Sequence, residues 1–136
     1  SQKVLLTWLI ESEEIFHQIE KYITPEDFSV GLFRKVAELL YEQYEKHEAN
    51  PAQIMNHFTD EEEHREVAGL FHTKIKELTT VKEQEKALQE TILRVKEHSI
   101  EEATKNLDPT DIQGLQRLMN EKRKMQDLRT LHISIN

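Results

Sequence analysis

The stretch Ile23-Thr24-Pro25-Glu26-Asp27-Phe28 (ITPEDF) decides how the chain is read. Its adjacent acids pose a choice between acid–base chemistry and a corner between helices, and every residue in it fits the corner. Thr24 takes the N-cap, and Pro25 then falls at the first helical position, where a missing N–H costs nothing. Glu26 and Asp27 lie in the first turn, where carboxylates favour the positive end of the helix dipole. Ile23 precedes the cap and Phe28 follows at the spacing of a hydrophobic staple. Ser29 is expected to start the longer helix that comes next.

Outward from this corner the apolar residues recur at helical spacing. Val4, Leu5, Trp8 and Leu9, widened by Leu6 and Ile10, form one stripe. Ile15, Phe16, Ile19, Tyr22 and Ile23 form a second. Val30, Phe33, Val36, Ala37, Leu40 and Tyr44 form a third, on a helix expected to end near His47. All three predict amphipathic helices that face one core. Asn50-Pro51 repeats the cap-then-proline signature before Ile54, Met55 and Phe58. Thr59 with Glu62 predicts a capping box for a helix carrying Val67, Leu70 and Phe71, and Thr80 with Glu83 predicts another.

The helix opened by Thr80 is expected to run to Asn106 and to change face on the way. Val81, Leu88 and Val95, supported by Ile92, are seven apart; so are Leu93, Ile100 and Leu107, rotated by about 140° from the first set. One stripe suits a bundle, and the other points to a second body; the alternative is one long helix buried on two sides. Asp108-Pro109-Thr110-Asp111 then caps a last helix reaching at least Leu131. Leu115, Leu118, Met125, Leu128 and Leu131 lie near helical spacing there, with Ile112 and Met119 beside them. A tight turn at Asp108-Pro109 predicts an antiparallel hairpin. The expected division is a bundle over residues 1–98, whose last helix continues onward, and a hairpin over residues 99–136. A bundle with its own caps and stripes is expected to keep its fold when the chain is cut before Asp108.

Composition bounds the function. The 136 residues hold three Gly, three Pro and 32% charged side chains, which suits helix nearly throughout. There is no cysteine, so disulfides, thiolate zinc sites and cysteine nucleophiles are excluded, and a reducing cytoplasm is the expected setting. No apolar run approaches the roughly 20 residues of a membrane span. No signal peptide is visible, and a first residue of Ser1 is expected of a piece of a longer protein. Residues 1–107 carry 13 basic and 22 acidic side chains, a net −9, whereas residues 108–136 carry 5 and 4, a net +1. The acidic body repels phosphate backbones.

Catalytic constellations are missing. Glu14-His17 and Glu61-His64 repeat the Glu-x-x-His spacing of carboxylate-bridged metal bundles. Glu14 and His17 fall opposite the Ile15/Phe16/Ile19 stripe, however, and Glu61 belongs to the solvated run DEEEH, so no metal ligand is assigned. The chain has no phosphate-gripping glycine loop, no Gly-x-Ser-x-Gly and no serine placed as a nucleophile. No catalytic residue and no cofactor are expected. Lys122-Arg123-Lys124 and Arg129 make a basic patch without aromatics for base stacking. It reads first as a solvated face, next as a surface for an acidic protein, and last as a nucleic-acid contact.

The order of these features carries a resemblance. Two short helices, the TPEDF corner, the helix FRKVAELLYEQYEKHEA, then NPAQIMNHF and TDEEE resemble the helical bundle of bacterial replicative helicase N-terminal domains and of the primase C-terminal domain. The likeness is clearest from Ser1 to about Phe71. The long helix and hairpin that follow resemble the primase version, the helicase-binding domain; an isolated helicase N-terminal collar domain is the alternative. The resemblance implies an all-α, non-catalytic domain that binds the collar of the hexameric helicase, mainly through its hairpin. It implies little direct nucleic-acid contact and no membrane. The hairpin has no motif that matches residue by residue, so the expected partner-binding residues, Leu115, Leu118, Met119, Met125, Leu128 and Leu131, come from the apolar pattern.

Overall fold

The computed structural model describes residues 1–72 and 80–135, and the protein is all-α. Six α-helices occur among the described residues: α1 (Gln2–Glu11), α2 (Glu13–Ile19), α3 (Leu32–Glu45), α4 (Glu61–His72), α5 (Val81–Lys105) and α6 (Ile112–Thr130). Pro25–Asp27 and Pro51–His57 form 3₁₀ turns.

The boundaries follow from local chemistry. Ser12 ends α1 in an extended conformation and caps α2 by accepting from the Ile15 N–H at 3.4 Å. The ITPEDF corner closes as a single 3₁₀ turn, and both Ile23 and Phe28 are buried beside it. The longer helix starts three residues later than Ser29, at Leu32. Phe28 is extended and Gly31 takes φ 125°, a backbone conformation that a side chain disfavours, so the chain re-aims before α3 begins. As a result Val30 stands outside the third stripe, on the surface. At the other end of α3, His47 sits at φ 56°, and Glu48 N–H donates to the Gln43 carbonyl at 2.9 Å, a Schellman-type stop.

Two caps differ in detail from the sequence reading. Helix α4 is capped by Asp60, which accepts from the Glu63 N–H at 3.1 Å, rather than by Thr59. A carboxylate one residue on reaches the same free N–H groups and adds a negative charge at the helix start. Helix α6 ends at Thr130, with Leu131 as its extended C-cap. Thr80 caps α5 by accepting from Glu83 N–H at 3.2 Å.

The core joins the short helices to the hairpin. Leu5, Leu6 and Leu9 of α1, Ile15, Phe16 and Ile19 of α2, and Val36, Ala37 and Leu40 of α3 pack with Leu88, Ile92 and Val95 of α5. Phe16 lies edge-on to Tyr41, with ring centroids 4.8 Å apart. Two tyrosine hydroxyls cross-link the layers: Tyr41 donates to the Ile23 carbonyl at 2.7 Å and Tyr44 to the Leu9 carbonyl at 2.6 Å. Burial pushes both phenols up, Tyr44 to about 12, so each stays a donor at neutral pH.

Helix α5, about 37 Å long for its 25 residues, forms the hairpin with α6. In the turn, Asp108 accepts from the backbone N–H and hydroxyl of Thr110, and these bonds hold its carboxyl below the usual range. Asp111 caps α6 by accepting from Gly114 N–H at 2.9 Å. A Cβ on Gly114 would lie 2.5 Å from the Asp111 carboxylate and 2.9 Å from Leu107, so a larger residue there would push both side chains aside.

Leu128 and Ile133 belong to the same core as α1–α3, with Leu131 and Ile135 packed against it. The final residues are strapped down by side chains. Gln18 exchanges two 2.8 Å bonds with Ser134, Glu85 accepts from Ile135 N–H at 2.8 Å, and Gln89 donates to carbonyls at the end of α6. The last helix and its tail therefore complete the core.

This shared core changes the expectation for a chain cut before Asp108. Losing Leu128 and Ile133 removes two buried aliphatic side chains, each contributing roughly 1.5–3 kcal/mol. That is a large share of a typical stability of about 5–15 kcal/mol. The truncated chain is expected to melt well below the full one, as followed by circular dichroism; equal melting temperatures would refute the shared core.

Candidate functional site

An ion cluster joins the ITPEDF corner to both arms of the hairpin. Lys96 of α5 is fully buried, and its ammonium lies 3.2 Å from each carboxylate oxygen of Asp27. The same ammonium pairs with Glu121 of α6. Asp27 is saturated: one oxygen also accepts from the Ser99 hydroxyl at 2.7 Å and the other from the Thr24 N–H at 2.9 Å. Glu121 is paired again on its outer side by Lys124 at 3.3 Å. Two cations thus face two carboxylates across three elements, and no charge in the set is left alone.

The energetics follow from burial. Withdrawing an ammonium and a carboxylate from water costs several kcal/mol each, and only close pairing with full hydrogen bonding offsets that. Burial opposes ionisation of Glu121, but the hydrogen bond and charge of Lys96, followed by Lys124, outweigh it and hold its pKa below the usual 4.5. The sequence alone makes Asp27 a first-turn acid at a helix end. It does accept from the Thr24 N–H, but its carboxylate points inward.

Sequence reasoning assigns no role to Lys96 or Glu121, although each lies on an apolar stripe. Lys96 falls on the Leu88/Ile92/Val95 stripe, and Glu121 falls between Leu118 and Met125 on the inward side of α6. A charge on an apolar stripe is a hint of burial, and the pairing itself appears only when the two helices meet. A cleft of about 660 Å³ opens beside the cluster, between the corner and the hairpin, with Arg34, His98 and Arg117 among its lining. Arg34 is committed to the Phe28 and Glu26 carbonyls, so its role there is architectural.

The six residues expected to bind a partner separate into three groups. Leu118 is buried, and Leu128 is buried within the common core. Met125 and Leu131 are half-buried. Leu115 and Met119 are 46% and 63% exposed, and Ile112, on the same face, is 71% exposed. At 100° per residue these three lie within about 60° of one another, and roughly 140° round the helix from the inward-facing Leu118, Glu121 and Leu128. The tip of the hairpin therefore carries an apolar stripe directed away from the bundle.

The Glu-x-x-His pairs do different work. His17 bonds Glu13 at 3.0 Å and Glu20 at 3.1 Å, which together raise its pKa; Glu14 takes no part in this set. Among the described residues no group of three or more histidines or carboxylates is arranged to hold a metal ion. No described helix is long and apolar enough to cross a membrane. Comparison of the chain with family models, with curated proteins and with solved structures gave no match.

Removing one partner from the cluster leaves a buried charge exposed to low dielectric. Lys96→Ala is expected to destabilise the protein by about 3–5 kcal/mol, measured by urea unfolding, whereas Lys122→Ala on the surface should change little. A second test concerns acid. The folded pKa of Glu121 is depressed, so its contribution is present above the unfolded value and is lost as pH falls through the lower folded value. Glu121→Gln should flatten the decline of stability below about pH 4.5; an unchanged acid melting profile would remove Glu121 from the cluster.

Proposed function

We propose that this chain is a non-catalytic adaptor, the helicase-binding domain of a bacterial DNA primase. In this reading it docks on the N-terminal collar of the hexameric replicative helicase, recruits primase to the replication fork in the cytoplasm and modulates helicase activity. Synthesis of primers belongs to other parts of a complete primase. The support from sequence is the order of helices around the ITPEDF corner. The observation that carries the reading is the stripe Ile112, Leu115 and Met119, exposed at the tip of a hairpin whose inner face is fully engaged.

The physics suits docking. An apolar stripe on a solvated helix is costly to leave in water, and two or three such side chains can dominate a modest interface. The ion cluster and the tail straps hold α6 before any partner arrives, so little ordering entropy remains to be lost on binding. The body's negative charge disfavours a nucleic-acid alternative.

The test is to mix the full chain with hexameric helicase and follow co-elution and ATPase rate. Ile112→Asp or Leu115→Asp should weaken binding at least tenfold without altering helix content, because each places a charge in a dry contact. Leu118→Asp and Leu128→Asp should instead unfold the hairpin, which circular dichroism will report. Full binding by the Ile112 and Leu115 variants would sink the reading. Self-assembly of the chain into rings, with no helicase binding, would point to an isolated helicase collar domain.

A further inference from the structure

The outer face of α6 does not end with its apolar stripe. Lys122 and Arg123 continue the same face one turn beyond Met119, about 10 Å along the axis from Leu115. Both are exposed. Lys124, the third base of the run, turns inward and is taken up by Glu121. No described carboxylate pairs with Lys122 or Arg123. The face is thus built in two halves, apolar toward the hairpin tip and cationic toward the middle of the helix.

Resting on the reading of α6 as the docking helix, we propose that this face takes a protein surface of matching construction, an apolar patch bordered by carboxylates. Ile112, Leu115 and Met119 enter the patch, and Lys122 and Arg123 meet the acids. Charge separation within the chain favours this occupant. Residues 1–107 carry −9 and residues 108–136 carry +1, so an acidic partner is repelled by the body and drawn only to this helix. Such complementarity fixes register and speeds encounter more than it deepens the bound state. A nucleic acid fits the face less well. Residues 108–136 hold no Phe, Tyr or Trp to stack on bases, and a phosphate backbone would leave the apolar half in water.

The experiment uses the full chain and hexameric helicase, with three proteins compared: the native sequence, the pair Leu115→Ala/Met119→Ala, and the pair Lys122→Glu/Arg123→Glu. Dissociation constants and association rates are measured between about 50 and 500 mM salt, a range over which screening of surface charge becomes strong. The charge reversal is expected to lower affinity roughly tenfold or more at low salt, mainly through the association rate, and to reduce the salt dependence. Its circular dichroism melt should match the native chain, since neither residue pairs with a described carboxylate. Treatment of the native complex with a carbodiimide, which joins amines to touching carboxylates, should link Lys122 to an Asp or Glu of the helicase. If the apolar pair weakens binding while the charge reversal binds normally and no Lys122 link forms, the carboxylate border is refuted and the docking reading stands. If neither pair weakens binding, both fall. Salt-dependent binding of single-stranded DNA that the charge reversal abolishes, with helicase binding untouched, would overturn the proposal in favour of a phosphate contact.

Discussion

A single ammonium group holds the architecture together. Lys96 projects from the middle of the long helix α5 into the protein interior, and it is tolerated there because Asp27 and Glu121 both reach it. The cost of an unpaired buried charge makes this arrangement close to all-or-none. The corner must present Asp27, the hairpin must present Glu121, and α5 must sit between them. Hydrophobic burial supplies most of the driving force, but it is non-directional. The ion cluster, with its specific distances and hydrogen bonds, selects one register of α6 against α5.

That constraint divides the surface of α6 into tasks. Glu121 and Leu118 face inward, and Leu128 closes the core, so the opposite face is held outward. Ile112, Leu115 and Met119 stand in solvent, on the side of the helix turned away from these contacts. The strap from Leu131 to Ile135, fixed by Gln18, Glu85 and Gln89, secures the far end of the same helix. A face held at both ends loses little freedom on contact, a property that suits the adaptor role proposed above.

The connection between corner and hairpin also alters how the chain divides. Periodicity suggested a bundle followed by an appendage, because Leu93, Ile100 and Leu107 lie on a different face from Leu88 and Val95. Both faces of α5 are in use, one against the short helices and the other toward α6. Leu93 is partly buried against the core and Ile100 is half-covered, while Leu128 and Ile133 return to the core itself. The hairpin and the short helices thus share one interior.

Much of this was determined by the sequence alone. The helical class, the ITPEDF corner, the Thr80 and Asp111 caps and the apolar stripes of α1–α3 follow from local propensity and spacing, which act over a few residues. The start of α3 was not legible, because the conformation at Gly31 depends on how Phe28 is buried. The burial of Asp27 was hidden as well: the same carboxylate would cap a turn whether or not a lysine from residue 96 arrived beside it. For α6 the pattern named candidate contacts but could not sort Leu118 from Leu115, since a helix with apolar residues over a wide arc has no inside until something packs on it. Tertiary structure decided that point, through the long-range pairing of Lys96 with Glu121. Charge burial is a property of two segments brought together, and neither segment states it by itself.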